Sequence, residues 1–162
     1  MSPHFDIRAF RPEDDPVLCD IRRRAVLAVP PRFYSPVALQ NWADEDRPGS
    51  HGAMAARGVS VLVAEAPDMA LLGMAAFAVR DATGTLFRLY IDPEAQRTGV
   101  GTALLHRAED DMSTQGATRV TLESSLVALA FYEKHGYAVT ARTRLHYDDG
   151  TPFDVREMEK TL

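Results

Sequence analysis

Seven consecutive residues, Gln96-Arg97-Thr98-Gly99-Val100-Gly101-Thr102, carry the clearest chemical signal in this chain. They follow an apolar, strand-like run, Leu86-Phe87-Arg88-Leu89-Tyr90-Ile91, which Asp92-Pro93 closes because proline cannot continue a ladder. A helix-like run begins near Val100. Gly99 and Gly101 lack a Cβ, so the backbone there can turn sharply and bring its N–H groups close to a ligand. The first N–H groups of a helix have no internal partner and sit at the positive end of its dipole. Strand, glycine turn and helix start together predict a phosphate cradle. Backbone N–H groups from Arg97 to Thr102 would hold the charge, the Thr102 hydroxyl would add a bond, and Arg97 would approach a phosphate directly. No Gly-Lys-Ser/Thr ending follows, which argues against nucleoside triphosphate hydrolysis. A third glycine at dinucleotide spacing and an acidic strand end to hold a ribose are also missing.

The pattern Gln/Arg-x-x-Gly-x-Gly/Ala resembles the acyl-CoA pyrophosphate loop of the GNAT N-acetyltransferase superfamily. Its lead-in, Leu89-Tyr90-Ile91-Asp92-Pro93-Glu94, is similar to that family's strand. Downstream, Ser125 to Tyr137 resembles the family's second signature, with a Phe131-Tyr132 pair, a helix-ending Gly136 and an aromatic after it. The resemblance covers roughly residues 84–140. It implies acetyl-CoA as acyl donor and direct attack by a primary amine within a ternary complex. It also implies that the backbone of Leu89, Tyr90 and Ile91 pairs with pantetheine as an added strand would, with an N–H there polarising the thioester carbonyl. Phe131 is counted among the cofactor contacts. Tyr132 matches the position of the family's acid tyrosine, which protonates the departing thiolate; a tyrosine of pKa about 10 is in the right form at neutral pH. Two departures stand out. Val127 occupies a position where many relatives carry Asn, so one side-chain contact to CoA is missing. Thr85 stands where some relatives carry a general-base glutamate, and it cannot act as a base near neutral pH.

A free amine of pKa near 10 is only about 0.1% neutral at pH 7, so some group must take its proton. Glu65 and Glu123, both at strand positions, are the candidates, acting through water. The resemblance assigns choice of acceptor to the segment of about 12–58 and to the last strands. Phe33, Tyr34 and Trp42, with Asp44, Glu45 and Asp46, would make an aromatic and acidic pocket for a cationic amine. His51 and His146 are further candidates to line it, whereas His4, His106 and His135 read as structural or solvated. No His/Cys/Asp spacing predicts a metal site. Neither a serine nor the lone Cys19 sits in a nucleophile setting that would support an acyl-enzyme. Cys19 reads as a small buried hydrophobe, in keeping with a reducing cytoplasm. Two alternatives remain open: a non-catalytic acyl-CoA sensor with the same fold, and a nucleotide-binding module.

The elements that must position these residues follow from period and punctuation. A short strand over 5–10 precedes a helix that starts in the acidic turn at 11–16 and ends before Pro30-Pro31; Ser35-Pro36 then caps a second helix through Trp42. Residues 46–58 read as loop with a short helical piece. Apolar runs at 59–65, 71–79 and 85–91 form an antiparallel meander. Helix 99–115, strand 119–123 and helix 126–135 come next, and crossovers of this kind imply parallel pairing. Two strands, 137–147 and 153–160, flank a turn at 148–150. The expectation is one α/β domain over 1–162 with a mixed sheet: the meander, then β-α-β-α-β with a splayed central pair. At 162 residues, 46% hydrophobic and 25% charged, the composition is that of an ordinary globular domain. A net charge of −5 disfavours nucleic acid. Arg22-Arg23-Arg24, the one basic run, reads as a solvated helix face. No signal peptide or membrane span is read in the sequence. The expected partner is a small-molecule or peptide amine, with no nucleic acid or membrane, and a homodimer is left open.

Overall fold

The computed structural model describes residues 4–162. In chain order the strands are β1 (Asp6–Ala9), β2 (Ser60–Glu65), β3 (Leu71–Arg80), β4 (Thr83–Ile91), β5 (Arg119–Ser125), β6 (Ala138–His146) and β7 (Pro152–Thr161). The helices are α1 (Asp15–Leu27), α2 (Pro36–Ala43), α3 (Ser50–Ala56), α4 (Val100–Thr114) and α5 (Leu129–Lys134). The seven strands form one sheet in the order β1-β2-β3-β4-β5-β7-β6.

Period-two alternation decides which residues face which layer. Leu62, Ala64, Ala75 and Phe77 turn to one face, where Leu104, Leu105, Ala108 and Met112 of α4 cover them. Val61, Val63, Met74 and Ala76 turn to the other face and meet Leu18 and Ile21 of α1. Farther along that face, Val26, Ala38, Leu39 and Trp42 pack on Phe153 and Val155 of β7. The Ser35 cap is present: its Oγ accepts from the Ala38 N–H at 3.1 Å, with Pro36 at the first helical position.

The central pair holds the feature that matters for function. β4 and β5 pair in parallel only from Thr83↔Arg119 to Leu86↔Leu122. Just beyond Leu86 the β3–β4 ladder shifts register, so Phe87 is an extra residue on β4. Such a bulge bends and twists its strand. Above it, β4 keeps pairing with β3, as in Ala75↔Leu89 and Gly73↔Ile91, while its other edge parts from β5.

Two local expectations differ from the structure and a third is met. The β5-α5-β6 crossover gives no parallel pairing, because β7 enters between β5 and β6 and pairs antiparallel with both. The 46–58 segment carries the expected short helix, α3, and Asp15, at the start of α1, holds its start by accepting the N–H groups of Gly49 at 2.6 Å and His51 at 3.1 Å. Arg22 is not on a solvated face: it is 2% exposed, its Nη2 donating to Glu45 at 2.7 Å. Among the described residues, no helix is long and apolar enough to cross a membrane.

Candidate active site

Where β4 and β5 part, a cleft of about 840 Å³ opens. One wall is β4 from Leu86 to Ile91, the opposite wall is Glu123 and Ser125 of β5 with Val127 and Ala128, and the end is closed by Phe131 and Tyr132 of α5. The start of α4 opens onto the same space through Gln96, Arg97, Gly99, Gly101 and Thr102. Asp92 shapes this approach. Its carboxylate caps the short turn at Pro93–Ala95 by accepting from the Glu94 N–H at 2.9 Å. Arg24 of α1 grips the same carboxylate with both guanidinium nitrogens, at 2.7 and 3.1 Å.

The residues of the expected cradle form a glycine turn into the start of α4. Gly99 has φ +89°, a left-handed conformation costly for any other residue type, and a Cβ there would meet nothing within 4 Å. At Gly101 an added Cβ would meet Ile91 at 3.5 Å and Phe131 at 3.7 Å, ordinary contacts, so a larger side chain would extend into the cleft rather than break the fold. Arg97 also takes a positive φ, +62°. Val100 faces inward, 1% exposed in the core under the sheet, and pins the helix start. Thr98 does not line the cleft; its hydroxyl donates to the Ala95 carbonyl and tightens the turn. The Thr102 hydroxyl lies 3.3 Å from His135 Nε2, while His135 Nδ1 is 2.8 Å from the Phe131 carbonyl. Because a carbonyl can only accept, Nδ1 carries the proton in that contact. His135 and Lys134 line the cleft beside the cradle, where the sequence had suggested no site role for either. Their helical offset from Phe131 is the signal that would have found them.

Tyr132 is 7% exposed and lines the cleft, its ring edge-on to Phe131 and to Tyr137. Burial pushes its hydroxyl above the usual tyrosine range, so it stays protonated. Trp42 lines the same cleft and donates its indole N–H to the Tyr90 hydroxyl at 3.1 Å. The Tyr90 ring in turn lies 5.2 Å from the Arg22 guanidinium.

A smaller cavity of about 270 Å³ adjoins the cleft; Trp42, Glu123, Phe153 and Val155 line both. Its outer parts are Glu45, Leu145, His146 and Tyr147. Glu45 accepts from the Tyr147 hydroxyl at 3.0 Å and from Arg22 at 2.7 Å. Trp42 and His146, named above as acceptor-pocket candidates, and Glu123, named as a base candidate, thus line these cavities. Tyr147 and Phe153 were missed, although their positions on either side of the tight turn at 148–150 bring both to one end of the hairpin.

Three site candidates are corrected. Glu65 lies outside the cleft, where Arg8 donates to it at 2.6 and 3.1 Å and also holds Asp14. Tyr34 is a buried strut: it is 6% exposed and stacked on Phe153 at 4.4 Å. Its hydroxyl is spent donating to the Asp154 carbonyl and accepting the Leu126 N–H. Phe33 packs beneath the Arg32 guanidinium rather than in either cavity. His51, too, is withdrawn, fully buried with Nδ1 on Asp15 at 2.9 Å and Nε2 facing Arg88 at 3.2 Å. Cys19 is only half-buried, its Sγ 3.8 Å from His51 Nδ1. Asp15, Cys19 and His51 thereby cluster, yet both His51 nitrogens are engaged and a guanidinium abuts the ring, which disfavours a metal ion there.

Comparison with known proteins gives a consistent picture. Residues 33–162 match the model of the acetyltransferase (GNAT) domain. The chain is 26% identical over 142 residues, 88% of its length and 87% of the relative's, to YafP, an uncharacterized N-acetyltransferase of Escherichia coli K12. It is 36% identical over 80 residues to the ribosomal protein bS18-alanine N-acetyltransferase of the same strain, a match spanning 46% of this chain and 54% of the relative. Among solved structures, a GCN5-related N-acetyltransferase from Rhodopseudomonas palustris superimposes with a TM-score of 0.87 at 23% identity, covering 100% of this chain and 98% of that one. The PaiA N-acetyltransferase of Thermoplasma acidophilum, in complex with coenzyme A, gives 0.80 at 24% identity over 98% and 99% of the two chains. At such identities the superpositions speak for the shared fold.

Proposed function

The chain belongs to the GNAT acetyltransferase family, and we propose that it moves an acetyl group from acetyl-CoA to a primary amine by direct attack in a ternary complex. One observation carries this reading: the helix start at Gly99–Thr102 opens onto the same cleft that the parting of β4 and β5 creates and that Tyr132 lines. A helix N-terminus suits the pyrophosphate, and the free edge of β4 suits the pantetheine amides. The donor supplies the activated thioester; this chain's residues orient it and move protons.

Glu123, exposed at the junction of the two cavities, takes a proton from the ammonium through water. The amine nitrogen then forms its bond to the acetyl carbonyl carbon and loses its second proton to water, from which the Tyr132 oxygen is reprotonated after turnover, and the carbon–sulfur bond breaks. The electron pair leaves on sulfur, and Tyr132 donates the proton that yields the free thiol. A backbone N–H of β4 beyond Leu86 steadies the carbonyl oxygen as negative charge builds. A non-catalytic sensor would bind the donor and stop there.

The test combines binding with turnover. Acetyl-CoA should raise the melting temperature while ATP and NAD do not, and initial rates over both substrates should give intersecting lines. Stabilisation by ATP or NAD but not acetyl-CoA would overturn the cradle assignment. Parallel lines would overturn direct attack.

A further inference from the structure

The smaller cavity has a composition that restricts which amine it accepts. We propose that the acceptor is a small monocationic primary amine with an aromatic or apolar body and no carboxylate, an arylalkylamine in chemical class. The inference rests on acetyl transfer at this site and narrows the substrate.

The walls are aromatic. Trp42 and Phe153 meet edge-on at 5.2 Å, and Tyr147 stands edge-on to Phe153 at 5.7 Å. None of the three is free to swing away. The Trp42 indole is tied to Tyr90, the Tyr147 hydroxyl to Glu45, and Phe153 is 8% exposed against Tyr34. Rigid aromatic faces with satisfied polar tips bind flat apolar groups at low entropic cost. A cavity of about 150 Å³ holds a benzene ring. The roughly 270 Å³ here leaves room for one ring and a short alkyl arm.

The charges set the second constraint. Glu45 already accepts from both Tyr147 and Arg22, whereas Glu123 is exposed and has no ion pair among the described residues. Glu123 also lines both cavities, so an ammonium beside it faces the end of the cleft that Tyr132 lines while its body lies toward Phe153 and Tyr147. No lysine or arginine lines the smaller cavity, and two carboxylates do. An α-carboxylate on the acceptor would therefore lie beside Glu123, the carboxylate not paired with Arg22, with only the His146 imidazole and no lysine or arginine in the cavity lining to offset the repulsion. A polyamine meets a different difficulty: after Glu123 takes one ammonium, the other carboxylate of the cavity, Glu45, is already paired with Arg22 and Tyr147, so a second ammonium finds no free anion there. Discrimination by such unmatched charges exceeds what an extra methylene achieves.

The experiment measures free thiol released from acetyl-CoA with 2-phenylethylamine, L-phenylalanine and spermidine, on the parent and on Leu145→Arg. Leu145 is exposed on the rim of the cavity, so the variant adds a cation without emptying the core. For the parent, kcat/KM for 2-phenylethylamine should exceed the other two at least ten-fold. In Leu145→Arg the ratio of L-phenylalanine to 2-phenylethylamine should rise at least five-fold. Turnover in which L-phenylalanine or spermidine equals or beats 2-phenylethylamine overturns the substrate class and leaves acetyl transfer standing. Acetyl-CoA binding with no thiol from any of the three also overturns it. Absence of acetyl-CoA binding, read by calorimetry, removes the transferase reading and this inference together.

Discussion

Replacing Tyr132 by Phe isolates a single hydroxyl. The ring's edge-on contacts with Phe131, at 5.3 Å between centroids, and with Tyr137, at 5.6 Å, survive the change. The Tyr132 hydroxyl has no hydrogen-bond partner among the described residues, so its loss leaves no orphaned protein group and stability should move by less than about 1 kcal/mol. Catalysis is different. A hydrogen bond to a charged group contributes about 1.5–3 kcal/mol, and at roughly 1.4 kcal/mol per decade its loss lowers kcat by about 10- to 150-fold. The thiolate develops only in the transition state, so acetyl-CoA affinity should barely change. Because burial raises this hydroxyl above the ordinary tyrosine value of about 10, the parent should show no loss of rate from Tyr132 ionisation below about pH 10. The assays are steady-state thiol release across pH, calorimetric titration with acetyl-CoA, and urea unfolding. Full kcat in the variant refutes the acid role. A fall in acetyl-CoA affinity that accounts for the whole effect refutes it too, since the hydroxyl would then serve binding.

Other perturbations test the remaining parts. Gly99→Val, at φ +89°, should weaken acetyl-CoA at least ten-fold with circular dichroism unchanged; unaltered affinity would remove the cradle. Tyr34→Phe strands the Asp154 carbonyl and the Leu126 N–H, costing about 2–4 kcal/mol and lowering Tm by roughly 5–15 °C, with KM for acetyl-CoA unchanged. In Asp15, burial favours the neutral acid, but N–H groups of Gly49 and His51 outweigh it and hold the carboxyl below the usual range. A depressed folded value means this stabilisation is present above the unfolded value of about 3.9 and lost as pH falls through the folded one. Urea midpoints should therefore drop on acidification below about pH 4, less steeply in Asp15→Asn; an identical slope in the variant would assign the acid sensitivity elsewhere.

What the sequence made legible was local. The glycine turn and helix start at 99–102 could be read because they lie within seven residues, and the place of Tyr132 because it follows Phe131 at a helix whose end Gly136 marks. The β2–β4 meander was plain from period and turns. Partners distant along the chain escaped. Glu65 looked free, yet Arg8, 57 residues away, holds it. Tyr34 looked like a pocket wall, yet its hydroxyl bridges to Asp154, 120 residues on. Asp15 starts one helix and caps another, a double role that no capping pattern within α3 displays. The insertion of β7 between β5 and β6 is likewise invisible to periodicity, since alternation sets a strand's faces but not its neighbours.

The central claim is transfer itself. Mass spectrometry of an amine incubated with the protein and acetyl-CoA bearing an isotope-labelled acetyl group tests it most directly. The account predicts one labelled N-acetyl group on the amine for each free thiol formed, with no labelled protein. Thiol release without acetylated amine, or label retained covalently on the chain, would contradict it.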